Sequence, residues 1–210
     1  DMFPKTNHKE YIVKLFYKSS FKSYLKKINF LLDTNLKKNF TLLDIGAADV
    51  INEKWNIISK KSNIILVEPH KESAKKLRDK GLNIIESVLG SEDNKEIKFY
   101  STKKATCSSF YKPNFNHLNK FSEKDRFEIV SEDLFISNSL DTEIKRFNQP
   151  DFIKIDTEGS ELDILKGSQK TLLNVFGLEV ECSFHQLREG QPLFEEVRNY
   201  LKKFDFIFTD

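Results

Sequence analysis

Lys154 stands between Ile153 and Ile155 in an apolar run that ends in Asp156, Thr157, Glu158 and Gly159. A second run sets Glu179 and Glu181 between Leu178, Val180 and Cys182. Both runs read as strands of a parallel sheet, buried on two faces, where a charge is costly unless a partner holds it. If the two strands are neighbours, Lys154 pairs with one of the glutamates, which is tolerable where a lone charge is not. Such a cluster is either a structural ion pair or the lining of an active site. Asp156 falls at the carboxyl end of its strand, where open α/β sheets bind ligands, and Gly159 allows a tight turn into the next helix. Asp156 is the first candidate for a catalytic or ligand-binding carboxylate, with helix capping as the alternative for part of this polar stretch. His185, just beyond the second run, is an alternative base. His70, His117 and His185 show no metal-ligand spacing, and no H-E-x-x-H, nucleophile elbow or Walker A sequence occurs.

Two more candidate carboxylates, Asp44 and Glu68, lie in residues 41–68, which read as strand, turn, helix, strand. Leu42, Leu43 and Ile45 lead into a turn at Gly46, a helix over about 51–60 carries Trp55 and Ile58 inward, and a second apolar run ends at Glu68 and Pro69. A βαβ unit of this kind can carry a nucleoside. Glycine lets the backbone approach the ligand, the helix start offers free N–H groups, and a carboxylate at the next strand tip accepts ribose hydroxyls. Glu68 is the ribose candidate and Asp44 a cofactor candidate; the plain alternatives are a helix-dipole partner and a solvated strand end.

The elements that position these residues follow from periodicity. Residues 9–32 repeat apolar side chains at helical spacing with lysines between, predicting an N-terminal helical cap over residues 1–38 packed on a single domain, 39–210. A helix over 71–80 closes at Gly81, and 82–88 reads as a third strand. Strands separated by helices without hairpin signals predict right-handed crossovers and one doubly wound, mostly parallel α/β sheet. The pattern breaks over 90–130, where short strands at 96–100 and 127–130 flank a stretch rich in Ser, Asn, Phe110, Tyr111, Phe115 and Phe121. Irregular aromatic stretches beyond strand tips are where such sheets build substrate pockets. Regularity returns with helices at 140–147 and 160–173, strands at 151–155 and 177–182, a helix from Pro192 to about 203, and a strand at 204–208.

Composition narrows the classes. A hydrophobic share of 39% with 31% charged residues favours a globular domain over a disordered chain. The 34 basic residues nearly cancel the 32 acidic ones, leaving +2, so no overall field draws nucleic acid or membrane. No apolar stretch approaches the roughly 20 residues that span a bilayer, and no secretory leader is evident. Cys107 and Cys182 form no disulfide framework or metal spacing, which suits a reducing compartment and a cytoplasmic location.

The segment Asp151-Phe-Ile-Lys-Ile-Asp-Thr-Glu-Gly-Ser-Glu-Leu-Asp-Ile-Leu-Lys-Gly167 resembles the signature of the FkbM family of S-adenosylmethionine-dependent methyltransferases, whose members can carry Gln at the position of Glu158. Leu43 to Ala47, Val67-Glu68-Pro69, Ser108 to Asn114, Ser139-Leu140-Asp141 and Gly190 to Phe194 agree with it. The resemblance implies a Rossmann-like class I methyltransferase fold, seven strands with one antiparallel, and O-methylation of a hydroxyl on a small molecule or glycan, often a sugar. It also implies S-adenosylmethionine held by Asp44, Gly46 and Ala47 at its methionine part, by Glu68 with Pro69 at the ribose, and near Ser87 and Val88 at the adenine. For such a transfer Asp156 is expected to act as base or to orient the acceptor, with Lys154 and Glu181 setting its environment and His185 as the alternative base. A divalent metal between Asp156 and Glu181 would do the same work by acidifying the hydroxyl. The first turn departs from the family pattern, with Ala48 where Asn is frequent and Val50 where a second glycine stands. The chain closes after one terminal strand, leaving the family's last strand without a counterpart. Two other classes stay open: a non-catalytic member that binds a nucleoside or a partner, and a nicotinamide-dependent oxidoreductase, whose G-x-G-x-x-G fingerprint is missing here.

Overall fold

The computed structural model describes residues 12–18, 40–46 and 62–209. The central strands form because their apolar residues fill both faces of a pleat in which alternate side chains point to opposite sides. In β2 (Phe40–Ile45), Leu43 and Ile45 join one core cluster while Phe40 and Leu42 join the other. β3 (Ser62–Val67) divides the same way, Ile65 and Val67 against Ile64 and Leu66. The second cluster is closed by Ala74 and Leu77 of α1 (Lys71–Asp79), the first by the helices that follow residue 139.

β4 (Asn83–Ile85), β8 (Phe152–Ile155) and β9 (Gly177–Cys182) complete a five-stranded parallel core in the order β9-β8-β2-β3-β4. β1 (Ile12–Lys18) adds to β9 in antiparallel fashion and pairs on its other side with β10 (Phe206–Thr209), giving seven strands. This corrects the helical cap at residues 12–18, which are strand. The run Ile12, Val13, Leu15, Phe16, Tyr17 is rich in β-branched and aromatic residues, and strands on both sides satisfy its backbone. The rest of the expected cap and the helix expected at 51–60 lie outside the described residues. β1 is the antiparallel strand of this sheet, lying between β9 and β10.

A second sheet, not expected from the sequence, has the order β5-β7-β6, from β5 (Val88–Leu89), β6 (Lys95–Thr102) and β7 (Ile129–Asn138). The segment between β6 and β7 contains α2 (Phe115–Leu118) and packs Phe115 with Cys107, Leu118 and Phe127. After β7 come α3 (Leu140–Glu143), α4 (Glu161–Lys166) and α5 (Gln169–Leu172), then α6 (Phe194–Leu201) before β10. The single helix expected over 160–173 is broken at Gly167. A Cβ there would stand 2.1 Å from the Gly90 carbonyl oxygen, so the close approach of the two segments requires glycine. Among the described residues no helix is long and apolar enough to cross a membrane, and Cys107 and Cys182 are buried and not joined in a disulfide.

Candidate functional site

β8 lies between β2 and β9, so Lys154 has a register partner on each side, Asp44 in β2 and Glu179 in β9. Alternation puts Asp44, Lys154, Glu179 and Glu181 on the face opposite Leu43, Ile153, Leu178 and Val180. Three buried charges therefore form a row across the centre of the sheet. Lys154 Nζ is 3.2 Å from Asp44 Oδ1 and 3.3 Å from Asp156 Oδ2, so its ion pairs reach β2 and the strand tip, where a glutamate of β9 was expected. Burial alone would lower the Lys154 pKa, but attraction and hydrogen bonding from the two aspartates outweigh it and hold the pKa above its ordinary value. Burial raises Asp44, and Lys154 offsets only part of that. Asp44 Oδ2 has no hydrogen-bond donor among the described residues.

Asp156 emerges from the end of β8 with its side chain 38% exposed, the accessible member of the group. Glu181 is pushed up to about 9, first by burial and then by Asp156, Glu158 and Glu161, and it shares a hydrogen bond with Asp156. Burial therefore favours the protonated form of Glu181 at neutral pH. Because the folded-state pKa lies above the unfolded value of 4.5, the native protein holds a proton that the unfolded chain releases. Stability is therefore lost as pH rises from about 5 to about 9. Glu181→Gln should flatten this part of the stability profile and leave the variant the more stable protein at pH 8.5. Denaturant melts at pH 6 and 8.5 check it, and parallel profiles would contradict the assignment.

The turn after β8 is fixed by Glu161, whose Oε1 accepts from Thr157 N, Thr157 Oγ1 and Gly159 N at 3.0, 3.1 and 3.0 Å. Gly159 has φ +119, and Glu158 takes φ +59, a left-handed conformation that side chains adopt at a cost. Arg188, fully buried, reaches Glu158 Oε2 at 2.6 Å and the Cys107 carbonyl at 3.1 Å. Burial raises the Glu158 pKa, and Arg188 opposes the rise.

Beside this turn a cleft of about 120 Å³ is lined by Gly46, Glu68, Pro69, Ser87, Val88, Thr157 and Ser160, with Ile45, Val67, Leu89, Phe110 and Ile164. It brings together cofactor candidates that follow three strands, Gly46 after β2, Glu68 and Pro69 after β3, and Ser87 and Val88 after β4. Glu68 is buried and its Oε1 accepts from His70 N at 2.8 Å, which fixes the carboxylate at the rim. Asp44 is not among the lining residues, and Ala47 lies outside the described residues. A groove of about 300 Å³ adjoins the cleft and shares Leu89, Phe110 and Ser160 with it.

The other candidates fall elsewhere. His185 is exposed and stacks on His117 with ring centroids 5.6 Å apart. Phe110 is half-buried and packs on Phe99 at 4.9 Å and Phe135 at 6.2 Å, ring to ring against the small sheet, while the Tyr111 hydroxyl donates to Asp163. Among the described residues no three His, Cys, Asp or Glu side chains converge as a metal-holding group. Sequence reading passed over Arg188 and Gln191, both buried. A lone arginine in a loop carries no periodic signal of burial, and only the nearby Gly190-Gln191-Pro192 stretch marked the region.

A parallel sheet with a small apolar cleft and a fixed carboxylate at its strand tips is an α/β domain with a cleft at the edge where open α/β sheets bind ligands. The chain belongs to the FkbM methyltransferase domain family, whose model matches residues 44–208. That membership supports a methyltransferase. In structure the chain is similar to a methyltransferase FkbM from Methylobacillus flagellatus KT at 17% identity and a TM-score of 0.48. The similarity covers 81% of this chain and 40% of that one, so the chain spans less than half of that protein. No curated protein matches the chain in sequence.

Proposed function

We infer that the protein is an S-adenosylmethionine-dependent O-methyltransferase, built on a doubly wound Rossmann-like class I sheet, that methylates a hydroxyl of a small molecule or glycan, a sugar by preference. The observation that carries this reading is the cleft, in which Gly46, Glu68, Pro69, Ser87 and Val88 meet although up to 42 positions separate them. Its apolar walls suit a purine face, and the fixed Glu68 carboxylate at the rim suits a ribose diol, so the residues present fit the cofactor. When bound, that cofactor supplies a sulfonium methyl group open to in-line displacement.

The chain's own residues would then act on the acceptor. An alcohol needs its proton removed as its oxygen attacks, and the accessible Asp156 carboxylate is the group to take it. Lys154 Nζ fixes one oxygen of that carboxylate, and Glu181, already protonated, cannot compete for the acceptor's proton. The turn of Thr157 to Ser160 joins Asp156 to the cleft wall, which supports a base held beside the cofactor cleft.

Transfer of a labelled methyl group to a panel of hydroxylated acceptors, sugars first, tests the reading. Asp156→Asn should lower the rate about a hundredfold, the lower end of what a positioned base contributes. An undiminished rate with the best acceptor would remove Asp156 as the base.

A further inference from the structure

Arg188 lines neither the cleft nor the groove, yet it is fully buried and holds the turn after β8 through a 2.6 Å contact to Glu158. Its guanidinium lies 5.7 Å from the centre of the Phe127 ring, and the same Nη2 that meets Glu158 also donates to the Cys107 carbonyl. One side chain therefore ties the turn to the segment between β6 and β7. The backbone repeats the tie: Pro113 and Arg188 form an isolated antiparallel bridge, Glu189 N donates to Lys112 O at 2.7 Å, and Asn114 N to Leu187 O at 2.9 Å. A third link comes from Ser109, whose Oγ donates to the Glu158 carbonyl at 2.7 Å and accepts from Tyr111 N at 3.0 Å. Phe110, between those two residues, is a wall of the cleft; Thr157 and Ser160, on either side of Glu158, belong to the same lining.

We propose that Arg188 is a positioning residue: its ion pair with Glu158 fastens the 107–114 segment to the turn after β8 and so sets the cleft width between Phe110 and Thr157. The left-handed backbone at Glu158 agrees with this. A side chain held there costs free energy that glycine would not, and what the chain gains is a carboxylate directed at Arg188. Glu158 is on this account occupied by Arg188 and does not take the acceptor's proton.

The test uses Arg188→Lys, Arg188→Met, and the double variant Arg188→Met with Glu158→Gln, which leaves no lone buried charge and keeps the protein folded if the single change does not. Amide hydrogen exchange reads the tie without any ligand. Peptides covering 107–114 should exchange at least tenfold faster in the double variant while β2, β3 and β8 remain protected as in the parent. Arg188→Lys, which keeps the charge but loses the planar fork, should fall between. On the cofactor reading above, affinity for S-adenosylhomocysteine should drop fivefold or more in the double variant. Unchanged exchange over 107–114, or a loss of protection spread evenly over all strands, would overturn the positioning role. Failure of the parent protein to bind S-adenosylhomocysteine would instead overturn the cofactor reading and leave the exchange result to decide the role of Arg188.

Discussion

Gly46→Ala should destabilise the protein by more than about 4 kcal/mol, a loss of the size reserved for a few severe mechanisms. Two of them act together here. Gly46 has φ +84, which a side chain tolerates poorly, and a Cβ at this position would stand 1.8 Å from the Asp156 carbonyl oxygen. That oxygen belongs to the backbone of the β8 tip, which is tied to β2 by the bond from Asp156 N to Ile45 O at 3.0 Å. Neither strand end can yield without breaking the pairing that forms the cleft. Gly81→Ala is the matched control. Its φ of +80 is nearly the same, but no atom lies within 4 Å of the added Cβ, so only the conformational cost of about 1–2 kcal/mol remains. Chemical denaturation of both variants checks the pair. Equal losses would mean that the contact between the two strand tips is not close.

Lys154→Met should cost about 3–5 kcal/mol, because it strands a buried carboxylate without its cation. Asp44 is wholly buried and Lys154 is the partner to its Oδ1, while Oδ2 has no donor among the described residues. The loss should depend on pH. Burial already holds the Asp44 pKa above 3.8, and without Lys154 the rise would be greater. The native state then keeps a proton that the unfolded chain releases, so the variant's deficit grows as pH climbs above about 4 and shrinks on acidification. Combining the change with Asp44→Asn should recover much of the stability at neutral pH, since no lone buried charge remains. Urea melts of the single and double variants at pH 4.5 and 7.5 give the comparison. A single-variant loss below about 1 kcal/mol at pH 7.5 would show that the row of charges is far better solvated than its burial indicates.

The central strands were legible in the sequence because each is buried on both faces and bounded by polar turns. β9 falls on the residues expected for it, and β8 begins one residue later. The partner of Lys154 was not legible. Chain order makes β9 the obvious neighbour of β8, whereas the crossover that seats β2 on the other side of β8 appears only in the assembled sheet. β7 was read as four residues because one of its faces exposes Val130, Leu134 and Ile136 beside Glu132, which hides any inward-outward alternation. At residues 12–18 the apolar spacing fits a helix and a strand alike, and the neighbouring strands decide the outcome. The candidate cleft was read through its tips, Gly46, Glu68, Ser87 and Val88. Its opposite wall at Phe110 and the Arg188 tie, which reaches Cys107 across 81 positions, depend on contacts between distant segments, which no local pattern encodes.

The most direct measurement is calorimetric titration of the protein with S-adenosylhomocysteine, repeated on Glu68→Ala. The account predicts binding in the micromolar range, about 8 kcal/mol, for the parent, and at least a tenfold loss when the rim carboxylate is removed. No binding by the folded parent protein, or equal affinity in Glu68→Ala, would contradict a cofactor site at this cleft; the first result would direct attention to a domain that binds a partner without catalysis.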